Sequence, residues 1–138
     1  MQDTEALLND VMFMALDHGM KSITDGAGPL IPFAITESNA GERTLNRFVS
    51  ERIEEGVETA KIHVDKLRGG IVRYAIAWDG YATVQGKKWD AVLVEAGDCD
   101  SDAAYLMIQR YEKKGWIRKK NVPYGNPALI DRPPSRLR

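Results

Sequence analysis

The chain has 138 residues, of which 43% are hydrophobic and 28% are charged, and its formal net charge is −1. This balance is typical of a globular protein and argues against a mainly disordered, fibrous or membrane-embedded chain. No apolar run approaches the roughly 18 residues that span a bilayer, and the first five residues are acidic where a secretory signal is basic. We therefore expect a cytoplasmic protein with no membrane partner, built as one domain over residues 1–121 with a Pro-rich, basic tail over residues 122–138.

The first predicted elements are a helix and a short strand. Apolar residues recur at helical spacing over residues 4–19, and Gly19 is typical of a helix stop. After a turn at residues 26–29, residues 30–36 form an apolar run. Pro32 within this run lacks a backbone donor, which favours an edge position or the beginning of a strand.

A second, longer helix is predicted over residues 44–67, where apolar side chains form one stripe and acidic side chains lie mostly off it. Gly69 and Gly70 follow the helix and end it. The stripe includes Leu45, Phe48, Ile53, Val57, Ala60 and Val64. An apolar stripe of this length requires a sheet face on which to pack.

Three runs rich in β-formers follow, over residues 71–84, 89–96 and 105–111. Their alternation predicts an antiparallel meander. If residues 85–86 form a two-residue turn, Tyr81 lies opposite Asp90 and the two faces of the hairpin are fixed. One face then carries the polar residues Arg73, Asp79, Tyr81 and Asp90, and the other carries Tyr74, Ile76, Trp78, Trp89 and Leu93.

The larger apolar face should meet both helices. The sequence therefore predicts an α+β fold, a two-layer sandwich in the order helix-strand-helix-strand-strand-strand, with both helices on one face of a mostly antiparallel sheet. Glu95 falls on this covered face, opposite Ile76. A buried glutamate requires a partner, and Arg110 on the third strand is the partner we expect in a structural ion pair.

The residue types that most often bind metals do not form a recognisable metal-binding motif in this sequence. Cys99 is the single cysteine, and neither His18 nor His63 has a second His or Glu one helical turn away. We expect no metal site, no cofactor and no catalytic residue. One alternative is a small metal-dependent hydrolase or nuclease that uses Asp79 and Asp90, which lie diagonally across the hairpin.

A second alternative is nucleic-acid binding through a basic strip over residues 110–120. Cations and two aromatic residues, Tyr111 and Trp116, are interleaved there, a pattern that can hold phosphates and stack bases. The cations are Arg110, Lys113, Lys114, Arg118, Lys119 and Lys120. The same strip is also typical of a solvated strand end, so nucleic acid is possible but not favoured.

Several stretches within residues 30–112 resemble a group of small bacterial proteins of unknown function. They are residues 32–35 (Pro-Phe-Ala-Ile), 47–49 (Arg-Phe-Val), 74–81, 89–96 and 109–111 (Gln-Arg-Tyr). The resemblance implies a free-standing bacterial cytoplasmic protein and transfers no catalytic or binding residue.

Because no complete catalytic set is present, the sequence favours a non-enzymatic interaction or accessory protein, either a homodimer or one with another protein partner. Its binding surface is expected on the outer sheet face or at a sheet edge, with Arg73, Asp79, Tyr81, Asp90 and Arg110 as the binding residues.

Overall fold

The computed structural model describes residues 3–25 and 29–138. Within them the chain forms two helices and six strands. In chain order these are α1 (Thr4–Asp25), β1 (Phe33–Glu37), β2 (Arg43–Arg47), α2 (Ile53–Lys66), β3 (Arg73–Val84), β4 (Lys87–Asp98), β5 (Tyr105–Lys114) and β6 (Lys120–Asp131). The turn expected at residues 26–29 lies outside the described residues except for Pro29.

The strands form one sheet in the order β2-β1-β3-β4-β5-β6, and every neighbouring pair is antiparallel. The α+β class and the antiparallel sheet are thus confirmed. The hairpin register is confirmed too, since Tyr81 lies opposite Asp90. Gln85 and Gly86 both have positive φ, 52° and 78°, as in the two-residue turns whose twist matches that of the strands they connect.

The helices, however, cover opposite faces of the sheet. Ala75 and Ala77 of β3 belong to the apolar cluster of α1, whereas Tyr74 and Ile76 belong to the cluster that contains Val64 of α2. Alternate side chains of a strand point to opposite faces. Since β3 is apolar at four consecutive positions, both of its faces must be covered. The structure therefore has one helix on each face of the sheet, where the sequence predicted both helices on one face.

Two element boundaries differ from the sequence prediction. Residues 43–47 form the edge strand β2, and the second helix begins only at Ile53. A turn with Gly41 at φ 85° precedes β2 and brings Arg43 opposite Glu37. The first helix runs through Gly19, which is buried. A Cβ at this position would lie only 3.0 Å from Cγ1 of Val92. This glycine allows close packing on the sheet and does not end the helix.

The segment expected to be a tail is a strand followed by a docked end. β6 is an edge strand, where prolines are tolerated because the outward N–H groups need no partner strand. The chain then returns across the sheet, where Leu137 is 6% exposed. The Ser135 hydroxyl donates a 2.7 Å hydrogen bond to the carbonyl of Asp98. No helix in the described residues is long and apolar enough to cross a membrane.

Candidate functional site

A cleft of about 560 Å3 lies between α2 and β3. β1 begins opposite Ala77, so from Trp78 onward β3 has no hydrogen-bonded strand on this side in the described part of the chain. The cleft opens at this free edge. Its charged and aromatic lining consists of Glu54, Glu58, Lys61, Trp78, Asp79, Tyr81, Asp90 and Tyr111.

Asp79 is a partly buried carboxylate of the cleft with a hydrogen-bond donor of its own. The Tyr111 hydroxyl donates a 2.7 Å hydrogen bond to its Oδ1. Burial raises the pKa of Asp79, the Tyr111 hydrogen bond opposes this rise, and the negative charge of Asp90 adds to it. Burial, with the Asp79 hydrogen bond and charge, also raises the pKa of Tyr111. The tyrosine therefore remains a donor at neutral pH and fixes the carboxylate.

The raised pKa of Asp79 predicts a pH-dependent stability. As pH rises, the unfolded chain loses this proton before the folded chain does, so Asp79 lowers the free energy of unfolding once pH passes through its folded pKa. Asp79→Asn keeps an oxygen acceptor for Tyr111 and cannot ionise. We expect its stability relative to the wild type to increase from acidic to neutral pH, as measured by urea unfolding at several pH values. A relative stability that falls over this range would contradict the assignment.

The cleft already holds one cation of the chain itself. The Lys61 ammonium lies 3.7 Å from the Glu58 carboxylate and 5.7 Å from the centroid of the Trp78 ring. A second ammonium, of Lys88, lies 4.1 Å from the centroid of the Tyr81 ring. Aromatic faces and carboxylates both attract cations. The arrangement is therefore suited to a positively charged group that displaces or joins these lysines.

Three of the residues expected at the site, Asp79, Tyr81 and Asp90, line the cleft together. Arg73 does not join them. Its guanidinium donates to the buried carboxylate of Glu37, which also accepts a 2.8 Å hydrogen bond from Arg43. Burial raises the pKa of Glu37, but the two guanidinium groups outweigh it and the net shift is downward. Arg73 therefore has a structural role.

Arg110 is also outside the cleft, and the expected Glu95–Arg110 ion pair does not form. Arg110 lies opposite Ala91, whereas Glu95 lies opposite Leu106. Four residues along a strand correspond to about 13 Å, too far for an ion pair. Instead, the Arg110 guanidinium lies 5.1 Å from the centroids of the Trp89 and Tyr124 rings.

The partner of Glu95 is Arg136, whose Nε donates to Oε2 of Glu95 at 2.9 Å. The Tyr74 hydroxyl donates to the same oxygen at 2.7 Å. A second nitrogen of Arg136 contacts Asp65 of α2 at 3.2 Å. The returning C-terminal segment thus neutralises the buried glutamate and ties it to the helix.

A metal-dependent hydrolase or nuclease requires a set of metal ligands. Within residues 3–25 and 29–138, no group of three or more His, Cys, Asp or Glu side chains is placed to hold a metal ion. Burial and the charge of Asp100 raise the pKa of Cys99, which disfavours a thiolate nucleophile. His18 packs edge-on against Phe33, with ring centroids 4.9 Å apart, and burial lowers its pKa.

The contribution of α2 to the site is not among the residues predicted from the sequence. Glu54, Glu58 and Lys61 are spaced by four and three residues, which places them on one helix face. This spacing is visible in the sequence, but it indicates a site only once the strand opposite the helix is known. The sequence places Tyr111 in the basic strip. In the structure it is 6% exposed, and its hydroxyl donates a hydrogen bond to Asp79.

No family model, curated protein or solved structure matches this chain. The resemblance to small bacterial proteins of unknown function therefore stays a prediction.

Proposed function

We propose that this protein is a non-enzymatic interaction protein, which binds a positively charged, extended segment of a partner protein in the cleft between α2 and β3. The observation that carries the proposal is the convergence of four carboxylates and three aromatic rings on one cleft, with a single lysine among its lining residues. A Lys or Arg side chain of the partner would gain both ion pairing and contact with an aromatic face.

The shape of the site supports an extended partner. β3 continues from Trp78 to Val84 beyond the first residue of β1, and a free strand edge offers backbone donors and acceptors to an added strand. Alternate side chains of such a strand point toward the same face. A segment with basic residues at every second position would therefore place them on one face, along Asp79 and Asp90.

Selection from a random-peptide display library on the full-length protein tests this proposal. Enriched peptides should carry Lys or Arg at alternate positions. The double variant Asp79→Asn with Asp90→Asn should lose this enrichment, since each change removes a charge and keeps an oxygen acceptor. Affinity for an enriched peptide should also increase as pH rises through the pKa of Asp79.

The matched control removes two carboxylates that are exposed elsewhere, through Glu5→Gln and Glu42→Gln. This control should enrich the same peptides as the wild type. Peptides without a basic preference, no enrichment at all, or equal enrichment by the Asp79→Asn, Asp90→Asn variant would each reject the proposal.

A homodimer also remains a proposal, and the edge strand β6 is the surface that favours it. Leu129 and Ile130 on this strand are 51% and 47% exposed, and an exposed strand edge with apolar side chains is suited to pairing with a second copy. Sedimentation equilibrium measures the mass of the wild type and of the double variant Leu129→Lys, Ile130→Lys. The wild type should form a dimer and the double variant should be a monomer. A wild type that is monomeric at all concentrations would reject the dimer.

A further inference from the structure

The β5–β6 hairpin projects from the sheet as a two-stranded arm. β4 pairs with β5 only as far as Tyr111, whereas β5 and β6 remain paired to Lys114 and Lys120. Close to the tip, in the pair Lys113–Asn121, the Asn121 side chain donates a 2.9 Å hydrogen bond to the carbonyl of Ile23 in α1. Residues 115–119 form the tip of the arm, beyond the last paired residues of β4 and β5.

The tip carries two large apolar side chains that no described part of the chain covers. Trp116 is 97% exposed and Ile117 is 90% exposed. The turn has a defined geometry, because Gly115 has φ +133° and a Cβ there would lie 2.0 Å from the carbonyl oxygen of Arg118. Exposing this much apolar surface at a structured tip is unfavourable in water, so a binding role is indicated.

The surroundings of these two residues are strongly basic. Five of the eight residues from 113 to 120 are Lys or Arg, and none of the eight is acidic. They are Lys113, Lys114, Arg118, Lys119 and Lys120. The nearest acidic residue, Glu112, lies 3.2 Å from the Lys114 ammonium. The β3–β4 turn adds Lys87 and Lys88 at the same end of the sheet.

We propose that this arm docks on a membrane surface that contains anionic phospholipids. In this arrangement Trp116 and Ile117 enter the region of the lipid headgroups, and the surrounding cations contact the phosphates. Trp is enriched at this depth of the bilayer, and clusters of Lys and Arg next to apolar anchors are typical of proteins that lie on anionic membranes. The expectation of no membrane partner came from the lack of an apolar run long enough to span a bilayer, which docking on a membrane surface does not require.

The same observations favour lipid over nucleic acid. Proteins that bind single strands stack successive bases on aromatic rings along a basic groove, but of the two aromatic residues in the basic strip only Trp116 is exposed. Arg110 packs against two aromatic rings. Lys113 and Lys114 point to opposite faces of the hairpin, since they are consecutive in a strand. The cations thus surround a tip and do not line a groove, and Ile117 has an evident role only in an apolar environment.

Co-sedimentation of the full-length protein with vesicles tests the proposal. Vesicles of phosphatidylcholine with phosphatidylglycerol should bind the protein at least about tenfold more tightly than vesicles of phosphatidylcholine alone, and added salt should weaken this binding. Trp116→Ala with Ile117→Ser should reduce it about tenfold or more, as should Lys113→Glu with Lys119→Glu. Melting temperatures should be unchanged because these side chains are exposed.

Three controls keep the test specific. Val49→Ser replaces an apolar residue that is 80% exposed elsewhere, Lys66→Glu reverses an exposed charge at the end of α2, and the Asp79→Asn, Asp90→Asn variant alters only the cleft. All three should bind vesicles as the wild type does. Vesicle binding is therefore expected even if the cleft proposal fails. Peptide binding in the cleft is likewise expected even if the membrane proposal fails.

Equal binding to both kinds of vesicle, or binding that does not change in the Trp116→Ala, Ile117→Ser variant, would overturn the proposal. So would absence of vesicle binding together with oligonucleotide binding that depends on Trp116, which would assign the arm to nucleic acid.

Discussion

Replacing Arg136 by alanine should lower the free energy of unfolding by about 3 to 5 kcal/mol, since removal of one partner leaves a buried charge uncompensated. The side chain of Glu95 is 7% exposed and that of Arg136 is 23% exposed. Adding Glu95→Gln to Arg136→Ala should recover part of the loss, because a neutral amide then occupies the buried position. Urea unfolding monitored by circular dichroism measures both effects.

The control for this prediction is Arg138→Ala, two residues further along the same segment. Its ion pair with Asp102 is exposed, with 49% and 88% of the two side chains accessible, and exposed pairs contribute less than about 1 kcal/mol. Equal losses for Arg136→Ala and Arg138→Ala would contradict the role assigned to Arg136. Deletion of residues 133–138 should cost at least as much as Arg136→Ala, because Leu137 leaves the core as well.

Introducing a carboxylate beneath either helix should unfold the protein or lower its stability by more than about 4 kcal/mol. Val11 of α1 and Val64 of α2 are both 0% exposed, and they pack on opposite faces of the sheet. Val11→Asp and Val64→Asp should therefore have equally severe effects. Thermal unfolding of the soluble fraction measures them.

Partly exposed residues on the same helices provide the controls. Phe13 of α1 is 47% exposed and Ile62 of α2 is 49% exposed, so Phe13→Asp and Ile62→Asp should lower the stability less than the two valine substitutions do. A cooperative unfolding transition at the wild-type temperature for either Val11→Asp or Val64→Asp would mean that the corresponding sheet face is open.

The sequence predicts the central hairpin well because two independent signals agree there. The turn residues Gln85 and Gly86 and the alternation of the flanking strands define one register, and Tyr81 lies opposite Asp90 as a result. The sixth strand was missed because Pro123 and Pro127 argue against a strand unless it lies at an edge. Edge position depends on the order of strands in the sheet, which local sequence does not contain.

The site was predicted in part for a similar reason. Asp79, Tyr81 and Asp90 share one hairpin, so local register brings them together. Glu54 and Glu58 lie on α2, which packs on the opposite face, and they reach the same cleft only at the free edge of β3. Arg136 is 41 residues from Glu95, and it reaches that carboxylate because the chain turns back after β6. Arg110 is closer to Glu95 along the chain, but its position on β5 is too far from Glu95 for an ion pair.

The central claim is that the cleft between α2 and β3 binds a cationic group, and an NMR titration tests it most directly. Nα-acetyl-arginine methylamide is added to the 15N-labelled full-length protein, and Nα-acetyl-citrulline methylamide, of the same shape but without charge, serves as the control. We predict saturable shifts in residues 53–61 and 78–81, including the Trp78 indole N–H, with the arginine compound alone. Unchanged resonances at these residues, or equal shifts with the citrulline compound, would contradict the claim.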